Sequence, residues 1–306
     1  MIKSLIYSVA IIAAANPVFA SDNQTVMLLK PSSAWNVNYA KDGCNLGRQF
    51  GEGDDRVLVV LNRYGPGDGF GMAVSGKSMK VSDINGIAKV QFGPSEEVQS
   101  LDYAPGNLGQ LPALVFNSGI RIAPLSPAEL KLRAKEFGKR NAKTYALTEP
   151  EKIDSARLTA VMYIEFSRPL NHVVRLETGS MRSPLAALDK CTDELTTHWG
   201  IDYEKHKNLR QKAKPVNNPG EWVTQNDYPP KMLRSDRPAN IAFRLDIGAD
   251  GKPTGCYIQA ATHPKEFDSA VCGSILKRAR FSPAMDAQGN AINSYYLGRV
   301  NFRLPD

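Results

Sequence analysis

From residue 25 to about 180, apolar residues recur in short runs that are rich in β-branched and aromatic side chains. They alternate with polar positions or end at turn residues, as in Gly65-Pro66-Gly67-Asp68-Gly69. The pattern predicts strands over 25–29, 35–40, 57–62, 70–74, 87–92, 113–116, 161–166 and 173–176. Two helices interrupt or close this segment. Ser126-Pro127-Ala128-Glu129 reads as a capping box with Pro at the first helical position, opening a charged helix to about 139. Ser183-Pro184 opens a second helix to about 199, ended by Gly200. On it Leu185, Leu188, Cys191, Leu195 and Trp199 share one face at i, i+3/i+4 spacing, so Cys191 is expected to point inward.

The period is lost from residue 202 to about 226. Lys205, Lys207, Arg210, Lys212 and Lys214 are followed there by Pro215, Asn217, Asn218, Pro219 and Gly220, which reads as an exposed basic linker. It resumes in a compact order. Pro229-Pro230 leads into a short helix at 231–235. A strand at 240–247 places Ile241, Phe243, Leu245 and Ile247 on one face, and Asp250-Gly251 turns into a second strand at 254–260. A helix at 265–279 carries the stripe Phe267, Val271, Ile275 and Leu276, and a last strand runs over 294–304. The fold class expected is α+β: a β-rich N-terminal domain with a closing helix, then helices on a three-stranded antiparallel sheet.

The first twenty residues bear on the compartment. Lys3 precedes an apolar run from Leu5 to Ala15, then come Pro17 and Val18-Phe19-Ala20, the arrangement of a cleavable export signal. That run is too short as a helix for a bilayer core of about 30 Å. The expected division is a signal at 1–20, an N-terminal domain at 21–203, a linker at 204–226 and a C-terminal domain at 227–306. Export also permits disulfides. The four cysteines, Cys44, Cys191, Cys256 and Cys272, allow three connectivities, and their two-and-two placement favours Cys44 with Cys191 and Cys256 with Cys272.

Composition excludes several classes of function. A length of 306 residues, 42% hydrophobic and 23% charged, describes an ordinary globular chain of about two domains. The net charge of +7 is modest and lacks the basic clusters with interleaved aromatics that nucleic acid demands. It permits contact of the linker with an anionic envelope surface. Gly71-Met72-Ala73-Val74-Ser75-Gly76-Lys77-Ser78 spells a phosphate loop, yet its middle residues read as strand, so no nucleotide is expected. Asp246 to Gly251 resembles a calcium loop but has Tyr257 where the closing Glu belongs. No metal, no cofactor and no catalytic residue is assigned: the histidines lack ligand spacing, there is no GxSxG, and the carboxylates are scattered.

Tyr228-Pro229-Pro230, the strand into Asp250-Gly251-Lys252, Phe267-Asp268-Ser269-Ala270 and Arg280-Phe281-Ser282-Pro283-Ala284 together resemble the TonB C-terminal domain family, over about 79 residues. Members with one cysteine on the second strand and one on the long helix are similar at Cys256 and Cys272. Arg237-Pro238-Ala239 and Ala261-Thr262-His263 stand where the family often has Gly and Ser-Ser-Gly. The N-terminal part resembles uncharacterised exported proteins through Cys44 to Gly51 and Cys191 to Asp202. The resemblance implies a non-enzymatic periplasmic adaptor of the Gram-negative envelope, which pairs its last strand with an extended segment of a TonB-dependent outer-membrane transporter. Tyr295, Leu297, Arg299 and Asn301 would then supply specificity. A plain structural edge, or one blocked by a second copy in a homodimer, is the competing reading of that strand. The competing functions are a membrane-anchored energy transducer whose first helix stays uncleaved, and an envelope hydrolase in the N-terminal domain.

Overall fold

The computed structural model describes residues 25–82, 86–124, 131, 153–259, 264–302 and 304. The expected signal at 1–20, the expected helix at 126–139 (Lys131 apart) and Ala261-Thr262-His263 lie outside the described residues. Ten strands form the N-terminal sheet: β1 (Val26–Leu29), β2 (Asn36–Ala40), β3 (Gly43–Phe50), β4 (Val57–Arg63), β5 (Phe70–Ser75), β6 (Gly86–Gly93), β7 (Gln99–Leu108), β8 (Leu111–Ile120), β9 (Tyr163–Phe166) and β10 (Val173–Leu176). Their order is β1-β10-β9-β6-β7-β8-β5-β4-β3-β2, and β1 with β10 is its parallel pair. The sheet curls on itself. Pro31, just past β1, bridges to Phe50 at the end of β3, and the Gly51 N–H donates to the Lys30 carbonyl at 2.8 Å.

Period-2 alternation fills the interior of this curl. On β4, Val57, Val59 and Leu61 point in, and they meet Phe50, Phe70, Met72, Phe92, Leu114 and Phe166 in one continuous core. Two strands in the sheet were not expected. On β3, glycines and polar outward positions dilute the alternation of Cys44, Leu46 and Phe50, so the run does not read as apolar. On β7, Asp102, Pro105 and Gly106 read as loop, and its pairing with β6 and β8 makes it a strand. The phosphate-loop string runs along β5 into a 3₁₀ turn at Lys77–Met79, so it has no helix N-terminus on which to hold phosphate.

Helix α1 (Ser155–Ala160) is short, whereas α2 (Arg182–His198) closes the unit. Leu185, Leu188, Cys191 and Leu195 are its buried face, laid against β3. Cys191 meets Cys44 there, with an S–S distance of 2.02 Å. Beside the disulfide, buried Arg63 forms an ion pair with Asp189.

The second unit is built on β12 (Ala239–Ile247), β13 (Pro253–Ile258) and β17 (Ser294–Phe302), antiparallel in the order β13-β12-β17. Helix α5 (Glu266–Arg278) covers one face, and α4 (Pro230–Arg234) stands at the entry. Phe243, Leu245, Phe267, Val271, Ile275 and Tyr296 form the core between them. Cys256 on β13 and Cys272 on α5 are bonded at 2.00 Å across a separation of 16 residues. In the chain-entropy model a loop of that size stabilises the fold by about 3 kcal/mol.

The basic segment expected as an exposed linker holds α3 (Tyr203–Lys207), a strand β11 (Lys214–Pro215) paired with β14 (Phe281–Ser282), and 3₁₀ turns at Pro219–Glu221 and Gln225–Asp227. Its lysines are exposed as expected. Trp222, however, is fully buried in the second core, and its indole N–H donates to the Asn217 Oδ1 at 3.0 Å. One apolar anchor among charges carries no period, which is why the sequence hides it. A small hairpin, β15 (Ala284–Met285) with β16 (Ala291–Ile292), lies between β14 and β17. No helix among the described residues is long and apolar enough to cross a membrane.

Candidate functional site

The last strand is the edge of the C-terminal sheet. β17 pairs with β12 over nine positions, from Ala239 opposite Phe302 to Ile247 opposite Ser294, and the strand order ends with it. Its alternation is strict. Tyr296, Val300 and Phe302 are buried toward α5, and Gly298 lies on the Phe243 ring opposite it, with no room for a Cβ. Tyr295, Leu297, Arg299 and Asn301 occupy the other face.

That face is covered by the N-terminal unit. The Tyr295 ring meets Trp199 edge-on at 5.4 Å between centroids and stacks on His206 at 6.1 Å. Leu297 lies against Gly65, where a Cβ would stand 2.7 Å from its Cδ1. Arg299 is half-buried beside Tyr64; burial lowers the guanidinium pKa, and Tyr64 partly offsets this. Asn301 stays exposed. Thus three of the four residues expected to read a partner's side chains face this chain's own first unit.

The covering contact continues across the sheet. Arg244 on β12 has its guanidinium over the rings of Trp199, at 4.2 Å, and Tyr257 on β13, at 4.1 Å. Its Nε donates to the Asp246 carboxylate at 3.0 Å. Burial raises the Asp246 pKa, and the charge of Arg244 works against that rise. The Gln259 side chain donates to the Tyr64 carbonyl at 2.8 Å, while the Tyr64 hydroxyl accepts from Asn62 at 2.9 Å. Sequence reasoning missed Arg244 and Gln259 because polar positions of a half-buried strand are expected to face water. It placed Trp199 on the apolar face of its helix but not its contact with the second unit.

One serine–histidine contact bears on the hydrolase reading. His206 Nε2 stands 3.0 Å from the Ser294 Oγ, and Nδ1 stands 2.9 Å from the Asp202 carbonyl. A carbonyl accepts only, so Nδ1 donates to it, and Nε2 can accept from the serine hydroxyl when the ring is neutral. This outlines a nucleophile beside a base, but Ser294 is 4% exposed and has no open space for a substrate. It ties the basic segment to β17 and lies outside the N-terminal domain, the place expected for a hydrolase.

Nine paired residues, an edge position, a covering helix and the strand-to-helix disulfide complete the pattern suggested by the sequence. Residues 224–304 match the family of Gram-negative bacterial TonB protein C-terminal domains. The match starts at Thr224, three residues before the expected boundary, where a capping box of Thr224 with Asp227 begins the ordered structure leading to α4. It takes in β12, β13, α5 and β17 and leaves the ten-stranded unit outside. No curated protein matches the chain.

Proposed function

We propose that this chain is a non-enzymatic periplasmic adaptor whose TonB-like domain recognises extended segments of outer-membrane transporters by strand addition at β17. The observation that carries the reading is the place of β17: a nine-residue strand at the edge of a sheet in the segment that matches the TonB C-terminal family. TonB C-terminal domains are energy-transducing binding modules that interact with outer-membrane transporters, and the family is associated with the Gram-negative envelope. An added strand gains affinity from backbone hydrogen bonds. With Tyr295, Leu297 and Arg299 packed inward, Asn301 is the side chain of β17 best placed to discriminate. The signal-like residues 1–20 support a periplasmic address over an anchored transducer.

A photo-crosslinking side chain at exposed Asn301, with one at exposed Lys190 on α2 as control, tests this in the native envelope. The expected product is a TonB-dependent transporter joined through position 301 and not through 190. Recovery of no transporter, or equal recovery from both positions, overturns strand addition. Mass spectrometry of the mature N-terminus separates the anchored alternative, since a start at Ser21 excludes it.

A further inference from the structure

At its Arg244 end, the junction between the two units opens into a cleft of about 520 Å³. Tyr39, Lys41 and His198 form one side, and Arg244, Asp246 and Tyr257 the other. We propose that this cleft binds a small monocarboxylate with a flat, apolar body. Its size falls within the roughly 300–1,000 Å³ of sites that enclose small ligands.

The anion specificity comes from Arg244. The residue is 3% exposed, its guanidinium lies over two rings, and its Nε is committed to Asp246, yet its Nη1 is buried with no hydrogen-bond partner. A buried, charged donor left unpaired is costly, and a carboxylate oxygen at Nη1 removes that cost with a charge-assisted bond. The lining charges set the valence. Two cations, Lys41 and Arg244, and two carboxylates, Asp42 and Asp246, line the cleft, so a monoanion meets less repulsion there than a phosphate dianion.

The shape of the ligand body comes from the rings. Tyr39 and Tyr257 line the cleft at 52% and 43% exposure; Tyr257 is stacked on Arg244, so Tyr39 is the ring that offers a planar group a face to stack on. Tyr257 is also the ring over the guanidinium. It is 43% exposed and bonded to the Asp246 carboxylate, so entry of the ligand carboxylate to Nη1 requires this ring to move. The Cys44–Cys191 disulfide lines the same cleft and ties α2 to β3, so the N-terminal wall is rigid. The edge of β17 takes no part, and the proposal stands apart from strand addition.

Calorimetric titration of the full chain with N-acetyl-L-phenylalanine, its neutral amide and inorganic phosphate tests the site. The acid is expected to bind, and the amide to bind at least about tenfold more weakly, through loss of the charge-assisted bond. Phosphate should bind more weakly than the acid. Tyr39→Ala, on the exposed rim, should weaken the acid about fivefold or more with an unchanged melting temperature. Arg244→Gln should abolish binding. If that variant does not fold, the acid–amide comparison and Tyr39→Ala still decide. No binding of the acid, equal binding of the amide, tighter binding of phosphate, or wild-type affinity in Tyr39→Ala overturns the proposal.

Discussion

Asp227 shows how much one residue can organise beyond its local capping box with Thr224. Its carboxylate accepts from the Thr224 N–H at 2.8 Å, the Thr224 hydroxyl at 2.9 Å, the Ser274 hydroxyl at 2.7 Å and the Arg278 guanidinium at 2.6 and 3.0 Å. The Arg278 side chain bonded to it, followed by the Thr224 and Ser274 donors against the effect of burial, holds the carboxyl well below the ordinary range. A depressed folded pKa contributes stability above the unfolded value near about 4, and that contribution is lost as pH falls through the folded value. Urea unfolding between pH 7 and pH 2 should therefore show stability declining below about pH 4 in the wild type. Asp227→Asn should be less stable at neutral pH by about 1–3 kcal/mol, and the gap should close in acid. A gap of the same size at both ends of the range would assign Asp227 a purely steric role. At this scale the sequence offered the helix faces and the cysteines. Asp227 was one scattered carboxylate because its partners lie up to 51 residues away.

At the scale of elements, legibility followed periodicity. β4, α2 and α5 each bury one regular face, β12 carries a regular apolar face and is buried on its other face as well, and the sequence places all four to within a residue or two. β3 and β7 do not, since glycine, proline and outward polar residues break their pattern and neighbouring strands supply the pairing. β17 adds a constraint of its own. Gly298 is a glycine because the Phe243 ring occupies the space of its Cβ, and that ring is fully buried and cannot yield. Gly298→Ala should lower stability by about 1–3 kcal/mol through overpacking, read from thermal melts. A neutral result would show that β17 can lift from β12, and the strand would then be a weaker template for a partner.

At the scale of the whole molecule, Trp199 connects the units, touching Tyr295 on β17 and Arg244 on β12 from the end of α2. Trp199→Ala should loosen the junction while leaving both cores intact. The measurements are a larger radius of gyration in solution scattering and faster proteolysis between Asn208 and Asn218; unchanged values in both would mean that Tyr64, Gln259 and His206 suffice to hold the units together. The sequence by itself determined what depends on local pattern: the strand-rich first part, the amphipathic helices, the α+β order of the last 79 residues and the family they resemble. Tertiary structure alone decided which face of the C-terminal sheet is covered and where Trp222 is anchored. It also decided that Arg244 is a buried cation over two rings. The reason is physical. Alternation records that a strand has two unlike faces, but a polar face looks the same in sequence whether it meets water or a second unit with matching rings and acceptors.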